Sequence, residues 1–186
     1  MANSEQTPEF HFLWRQITPE WQARILRFWN DEQAIPQEIA RSRLREVIGA
    51  LTIKDNLVAI CSASVNRQAP IVGQPMYIFR TFVAAQYRRQ GHARRLLNDT
   101  FDAFQRDINQ RREAASPDDP PPKSPLGIML IIPTELTDVL DDHFIWPDTQ
   151  FSLIGYASGG EHYRIRYFDG LELYPPYPQP NRQITS

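Results

Sequence analysis

Arg88, Gly91 and Ala93 stand at the spacing R-x-x-G-x-A inside the stretch Arg80 to Leu97, RTFVAAQYRRQGHARRLL. The residues before Ala84 read as a strand and those after Gly91 as a helix, so the triplet falls at a strand–turn–helix junction. The first N–H groups of a helix have no internal partners, and the macrodipole places partial positive charge there. Such a terminus holds phosphate directly. Gly91 permits a backbone conformation that is costly for other residues and removes the Cβ that would block a phosphate. Ala93 is small enough for a ligand or a neighbouring strand to come close. Arg88, Arg89, Arg94 and Arg95 add positive potential around the same turn. The chemistry that fits is capture of a small phosphate-bearing ligand by main-chain amides.

The charge balance of the 186-residue chain agrees once it is divided. Twenty Lys plus Arg against 22 Asp plus Glu give a formal net charge of -2. Between Arg80 and Arg112, however, there are eight Arg, no Lys, and only Asp99, Asp102 and Asp107, a net of +5 that leaves -7 elsewhere. An acidic remainder repels an extended polyanion, so a nucleic acid is a poor partner, whereas a small anion at one helix start is not repelled. All basic residues but Lys54 and Lys123 are arginines, whose planar fork suits phosphate, although compositional bias accounts for that excess equally.

The 41% hydrophobic content can build a core, and the length suits one compact domain with tails. The single cysteine, Cys61, forms no intramolecular disulfide and sits in an alternating run, Cys61 to Val65, where it reads as a small core residue. The first ten residues lack a basic or apolar leader pattern. The longest apolar runs, Leu57–Cys61 and Ile128–Ile132, fall far short of the ~20 residues that span a bilayer. The expectation is a soluble cytoplasmic protein with no membrane partner.

The elements that must carry the turn can be read in order. Phe10 to Ile17 reads as a first strand. Thr18-Pro19-Glu20 starts a helix, with a hydroxyl cap and proline at the first position, and Trp21, Ile25, Phe28 and Trp29 follow at helical spacing. Pro36 opens a second helical stretch with Ile39, Leu44 and Val47. Val47–Ile53 and Leu57–Val65 are strands around the turn Lys54-Asp55-Asn56, and Met76–Ala84 is a third. Ala93, Leu96, Leu97, Phe101, Phe104 and Ile108 mark the apolar stripe of a long helix. Gly127–Pro133 has the continuous apolar character of a strand buried on both faces. Thr134–His143 can form a short helix, and Phe151–Tyr156 with His162–Phe168 a hairpin around Ala157–Gly160. The pattern is α/β with a mixed, mostly antiparallel sheet flanked by helices, and a strand-helix-strand unit spans Met76 to Pro133.

Tyr87-Arg88-Arg89-Gln90-Gly91-His92-Ala93 resembles the acetyl-CoA signature of the GNAT family of N-acetyltransferases, a strand followed by Q/R-x-x-G-x-G/A opening a helix, with an aromatic just before the Arg. The element order from Phe10 to Phe168 matches that family's fold, so the resemblance covers most of the chain. It implies a single GNAT-like acyltransferase domain over residues 10–170, with a flexible N-terminus (1–9), a Pro-rich loop (114–126) and a Pro-rich tail (171–186). It also implies that amides from Arg88, Arg89, Gln90, Gly91, His92, Ala93 and Arg94 hold the CoA pyrophosphate. The backbone near Val83 would pair with the pantetheine arm. The Met76–Ala84 and Gly127–Pro133 strands would splay around the thioester. Acetyl-CoA is then the acyl donor, a small-molecule amine or a peptide is the acceptor, and transfer is direct. No metal is expected, and a homodimer is left open.

The departures from the family pattern are specific. Many members carry a glutamate on the strand before the signature, where this chain has Phe79-Arg80-Thr81-Phe82. Many carry a tyrosine in the later helix, where Thr134 to Trp146 has none. No general base or acid is therefore assigned, and a non-catalytic CoA-binding or regulatory domain of the same fold is the alternative. Arg80 either faces the cleft or pairs with an acid on the strand surface. The His92 side chain is expected to point to solvent. His143 with Asp138, Asp141 and Asp142 reads as a solvated acidic face rather than a metal site. Glu135 suits either a base or a helix-start charge. Tyr156 and Tyr163 read as strand packing residues. Trp14, Trp21, Phe28 and Trp29 read mostly as core. No G-x-S-x-G elbow anchors hydrolase chemistry.

Overall fold

In the computed structural model, residues 7–115, 124–137 and 143–173 are described. Residues 1–6 of the expected N-terminal arm, 116–123 of the Pro-rich loop, 138–142 of the short helix and 174–186 of the tail lie outside them.

Seven strands form one sheet. They are β1 (Glu9–Phe12), β2 (Val47–Ile53), β3 (Asn56–Asn66), β4 (Met76–Val83), β5 (Gly127–Ile132), β6 (Ser152–Tyr156) and β7 (His162–Tyr167), in the spatial order β1-β2-β3-β4-β5-β7-β6. Every neighbouring pair is antiparallel except β4 and β5. The helices are α1 (Pro19–Asp31), α2 (Gln37–Arg43), α3 (His92–Glu113) and α4 (Thr134–Thr137). The mixed α/β architecture is the one the sequence pattern implies.

Local chemistry explains most boundaries. The Thr18 hydroxyl accepts from the Trp21 amide at 3.3 Å, with Pro19 at the first helical position, and so opens α1. Lys54 and Asp55 both take positive φ, 49° and 62°, which is what a two-residue hairpin turn requires to match strand twist. The first strand is shorter than expected. It ends at Phe12 because Gln16 donates back to the Leu13 carbonyl and Arg15 turns left-handed, φ 61°, before Ile17 is reached. Val47, placed in two elements by its sequence neighbours, belongs to β2, and a 3-10 turn, Leu44–Glu46, separates it from α2.

Two layers cover the sheet. α3 lays Leu96, Leu97, Phe101, Phe104 and Ile108 against Ile48, Leu51, Tyr77, Phe79, Ile128 and Leu130. On the opposite face α1 and α2 bury Ile25, Phe28, Trp29 and Ala40 against Val47, Ala50 and Ile60. The stripe of α3 begins at His92 rather than Ala93, which is exposed. β5 is buried over Gly127–Leu130 but not to its end, since Ile131 is 40% exposed. The reason is its partner: β4 and β5 pair only from Tyr77↔Ile128 to Phe79↔Leu130. Beyond that, β4 follows β3 to Val83, and β5 follows β7 to Ile132. A gap opens between two parallel strands at their C-terminal ends.

Phe104 is the hub of the α3 face. Its ring stacks on Tyr77 at 4.6 Å and meets Trp14 edge-on at 5.4 Å and Phe168 at 6.0 Å. Phe104→Ala should lower the unfolding free energy by about 3–5 kcal/mol, measured by urea denaturation at constant slope.

Candidate functional site

The chain leaves β4 through buried Ala84, whose amide donates to the Val58 carbonyl at 2.9 Å. A 3-10 turn, Ala85–Tyr87, follows, and its first amide donates to the Glu32 carboxylate at 3.1 Å, tying the turn to the end of α1. Tyr87 is half-buried beside His92, the rings 6.1 Å apart. The turn then reverses through two left-handed residues, Arg89 (φ 61°) and Gly91 (φ 79°), and α3 begins. Among the described residues beyond its chain neighbours, no atom lies within 4 Å of where a Cβ on Gly91 would stand, so its glycine serves the backbone conformation and leaves open space in front.

The first helical bond of α3 runs from the Arg95 amide to the Gly91 carbonyl at 3.0 Å. Among the described residues, the six amides from Arg89 to Arg94 find no acceptor in the protein. Successive free N–H groups of this kind form an anion-binding concavity, here at the positive end of a 22-residue helix. Arg88, Arg89, Gln90, Gly91, Ala93 and Arg94 are all exposed around it. The sequence-predicted residues are thus brought together in one turn, with Val83 half-buried at its foot.

The side-chain charges differ from expectation. Arg94 is engaged by the Asp148 carboxylate, and Asn98 donates to the Asp148 carbonyl at 3.0 Å. Arg95 pairs with Asp99 at 3.3 Å along the helix. Arg88 donates from Nε to the Val83 carbonyl at 3.1 Å and lies 5.5 Å over the Phe82 ring. Arg89 is the one arginine of the turn without a protein partner among the described residues. The positive potential at this turn therefore comes from Arg88, Arg89 and the open amides more than from all four arginines. Asp148 gave no signal in the sequence, because it lies 54 residues from Arg94.

His92 is the clearest correction. It is 8% exposed, packed under Tyr87 rather than turned to solvent, because it occupies the first position of the apolar stripe of α3. Its Nε2 is buried and has no partner among the described residues. Burial, and secondarily Arg95, hold its pKa below the ordinary value of 6.5.

Around the gap, Arg80 takes the strand-surface reading. It contacts Glu46 at 3.4 Å and donates to the Ser64 hydroxyl at 3.0 Å, while Glu46 also accepts from Arg43 at 2.9 Å. No carboxylate stands on β4 past Phe79. Glu135 is exposed just beyond β5, and the Thr134 hydroxyl donates to the Gly159 carbonyl at 3.1 Å. Tyr156 is 62% exposed, with its ring 4.8 Å from His162, and Tyr163 is half-buried. His143 is exposed, and Asp138, Asp141 and Asp142 lie outside the described residues.

Arg164 organises this flank and escaped sequence reasoning, which expects strand arginines at the surface. It is 1% exposed and donates to the carbonyls of His143 at 2.9 Å, Phe144 at 3.2 Å and Phe151 at 3.4 Å. Its guanidinium lies 4.2 Å from the Trp146 ring centroid. The aromatic run around Trp146 was the available clue to a stacked arginine. Cys61 is no nucleophile: burial pushes its thiol up to about 12, and Thr100 Oγ1 lies 3.1 Å away.

A sequence model of the acetyltransferase (GNAT) family matches residues 10–120, more than half of the chain. No curated protein matches the sequence. Several solved structures share the fold. The ribosomal-protein-S18-alanine N-acetyltransferase of Escherichia coli superposes with a TM-score of 0.51 at 12% identity, covering 86% of this chain and 90% of that one. An acetyltransferase of the GNAT family from Streptococcus pneumoniae gives 0.55 at 9% identity, covering 87% and 99%. The Bacillus subtilis N-acetyltransferase YlbP, solved with coenzyme A, gives 0.52 at 13% identity, covering 88% and 98%.

The buried His92 makes stability depend on pH. As pH falls through 6.5 the unfolded chain takes up a proton that the native imidazole declines, so stability drops until the lower native pKa is reached. His92→Phe should remove that loss, and urea midpoints measured from pH 7.5 to 5.5 should fall less in the variant than in the parent.

Proposed function

The chain belongs to the GNAT family of acetyltransferases, and from that premise we propose that it transfers an acyl group, acetyl in the first instance, from acyl-CoA to a primary amine. The run of six unpartnered amides from Arg89 to Arg94 carries the reading. In this reading those amides take the pyrophosphate, with Gly91 leaving room for it and Arg89 and Arg88 adding charge. The acyltransferase domain spans residues 10–170.

The pantetheine arm runs along the end of β4 into the gap beside β5. The Val83 carbonyl available to it is held by Arg88 in the free protein, so the arm displaces that guanidinium, which can swing toward the phosphates. The thioester lies between the diverging strands, where main-chain N–H groups past Phe79 face the carbonyl oxygen. The amine nitrogen attacks the carbonyl carbon, the C–S bond breaks, and the thiolate leaves with the proton that the amine gives up. The acceptor is a small amine or a peptide. Support comes from the family match and from the coenzyme A bound to the Bacillus subtilis protein of like fold.

One observation favours a second reading. Arg80 stands on β4 where many family members place a glutamate, and it is fixed by Glu46 and Ser64. That suits a domain that binds acyl-CoA without turning it over. Calorimetry tests the binding that both readings share, and turnover separates them. Acetyl-CoA should bind with one site per chain, and Gly91→Val should weaken it at least tenfold, about 1.4 kcal/mol. Absence of heat at millimolar acetyl-CoA would overturn both readings, and release of free CoA with an amine panel would select the enzyme.

A further inference from the structure

A second cavity lies away from the phosphate turn, on the α1–α2 face of the sheet. It has a volume of about 660 Å³ and is rimmed by Arg15, Arg41 and Arg45. Its floor is aliphatic, made by buried Val47 and half-buried Ile17, Leu26 and Leu44. The one other lining residue is the neutral amide Gln22, so among the described residues no carboxylate lines the cavity.

The three guanidinium groups differ from those of the neighbouring cluster. Arg43 and Arg80 both contact Glu46. Among the described residues, Arg15, Arg41 and Arg45 form no ion pair; Arg15 lies 5.6 Å over the Trp14 ring, within electrostatic reach of Tyr77, and also lines a neighbouring cavity with Asp107. Arg41 and Arg45 are also four residues apart on the continuous turn from α2 into the 3-10 segment, an arrangement in which like charges repel. Arg15 reaches the rim from a left-handed backbone position that non-glycine residues rarely adopt. A chain with more acids than bases thus lines one apolar floor with three arginines that form no ion pair among the described residues.

The cavity is separate from the turn. Val47 pairs with Ser62, and Ser62 with Arg80, so the floor lies two strand spacings from β4, about 10 Å. The Arg43–Glu46–Arg80 cluster stands between them. Its size falls in the range of small-molecule sites, ~300–1,000 Å³. Arginine forks suit carboxylate and phosphate alike. Aromatic side chains for stacking bases are absent from the lining, which argues against a nucleic acid.

We propose that this cavity binds a small organic anion with an apolar body, its carboxylate or phosphate head held by Arg15, Arg41 and Arg45 and its hydrocarbon on Ile17, Leu26, Leu44 and Val47. The site is independent of the acyl-CoA reading.

The test titrates the full chain with octanoate, octyl phosphate, octanol, octylammonium and acetate by calorimetry. Octanoate or octyl phosphate should bind one per chain, the tighter of the two identifying the head. Octanol and acetate should bind at least tenfold more weakly, and octylammonium not at all. The double variant R41Q/R45Q, and separately R15Q, should weaken the anion at least tenfold while the circular dichroism and the acetyl-CoA titration stay unchanged. The proposal is overturned if neither anion binds, if octanol binds as tightly as octanoate, or if folded R41Q/R45Q and R15Q bind the anion as the parent does.

Discussion

Three residue pairs hold β4 to β5, and the structure turns on how few they are. A parallel pair needs a long crossover, and α3 supplies it, so both strands begin side by side over the same helix. Each strand also has an antiparallel neighbour with a longer ladder, β3 for β4 and β7 for β5. Sheet twist accumulates along those ladders, and the short parallel contact follows only as far as Phe79 and Leu130. The unpaired main chain beyond is backbone that must find partners, and a ligand's amides and carbonyls can provide them.

The same crossover aims the start of α3 at the end of β4, where the proposed acyl-CoA would arrive. Ala84, Glu32 and Tyr87 fix the connection from three sides, through a strand bond, a side-chain acceptor and ring packing. Rigid support lets two left-handed residues persist and keeps the amides of the turn pointing outward instead of closing on one another. Long-range pairing then trims the charge. Asp148 reaches Arg94 from the segment that Arg164 anchors, so the flank of the gap and the Arg88–Arg94 turn are fastened to the same helix.

What could be read from the sequence was what depends on neighbours along the chain. The Thr18 cap, the Lys54–Asp55 hairpin turn, the apolar stripe of α3 and the glycine of the turn all express local backbone preferences, and all appear where their spacing implies. His92 takes the buried place that the spacing gives to Ala93, since a polar ring and a small methyl compete for the start of the stripe and the Tyr87 ring packs on the imidazole. Asp148, Glu46 and Arg164 could not be read at all. Each acts across tens of residues, and an arginine on a strand looks like surface until Trp146 and three carbonyls are seen to enclose it. β5 is buried over less of its length than its apolar run implies for a related cause: such a run shows that a strand can be buried, not where its partner leaves it.

The sealed thiol of Cys61 bears on how such a protein can be assayed. Thiols react as thiolates, and with a pKa of about 12 only about one in ten thousand is ionised at pH 8, behind full burial. The folded chain therefore contributes no colour to a thiol-specific reagent. Free coenzyme A liberated in solution would be counted against a silent background, and any slow rise toward one thiol per chain would count unfolded molecules instead.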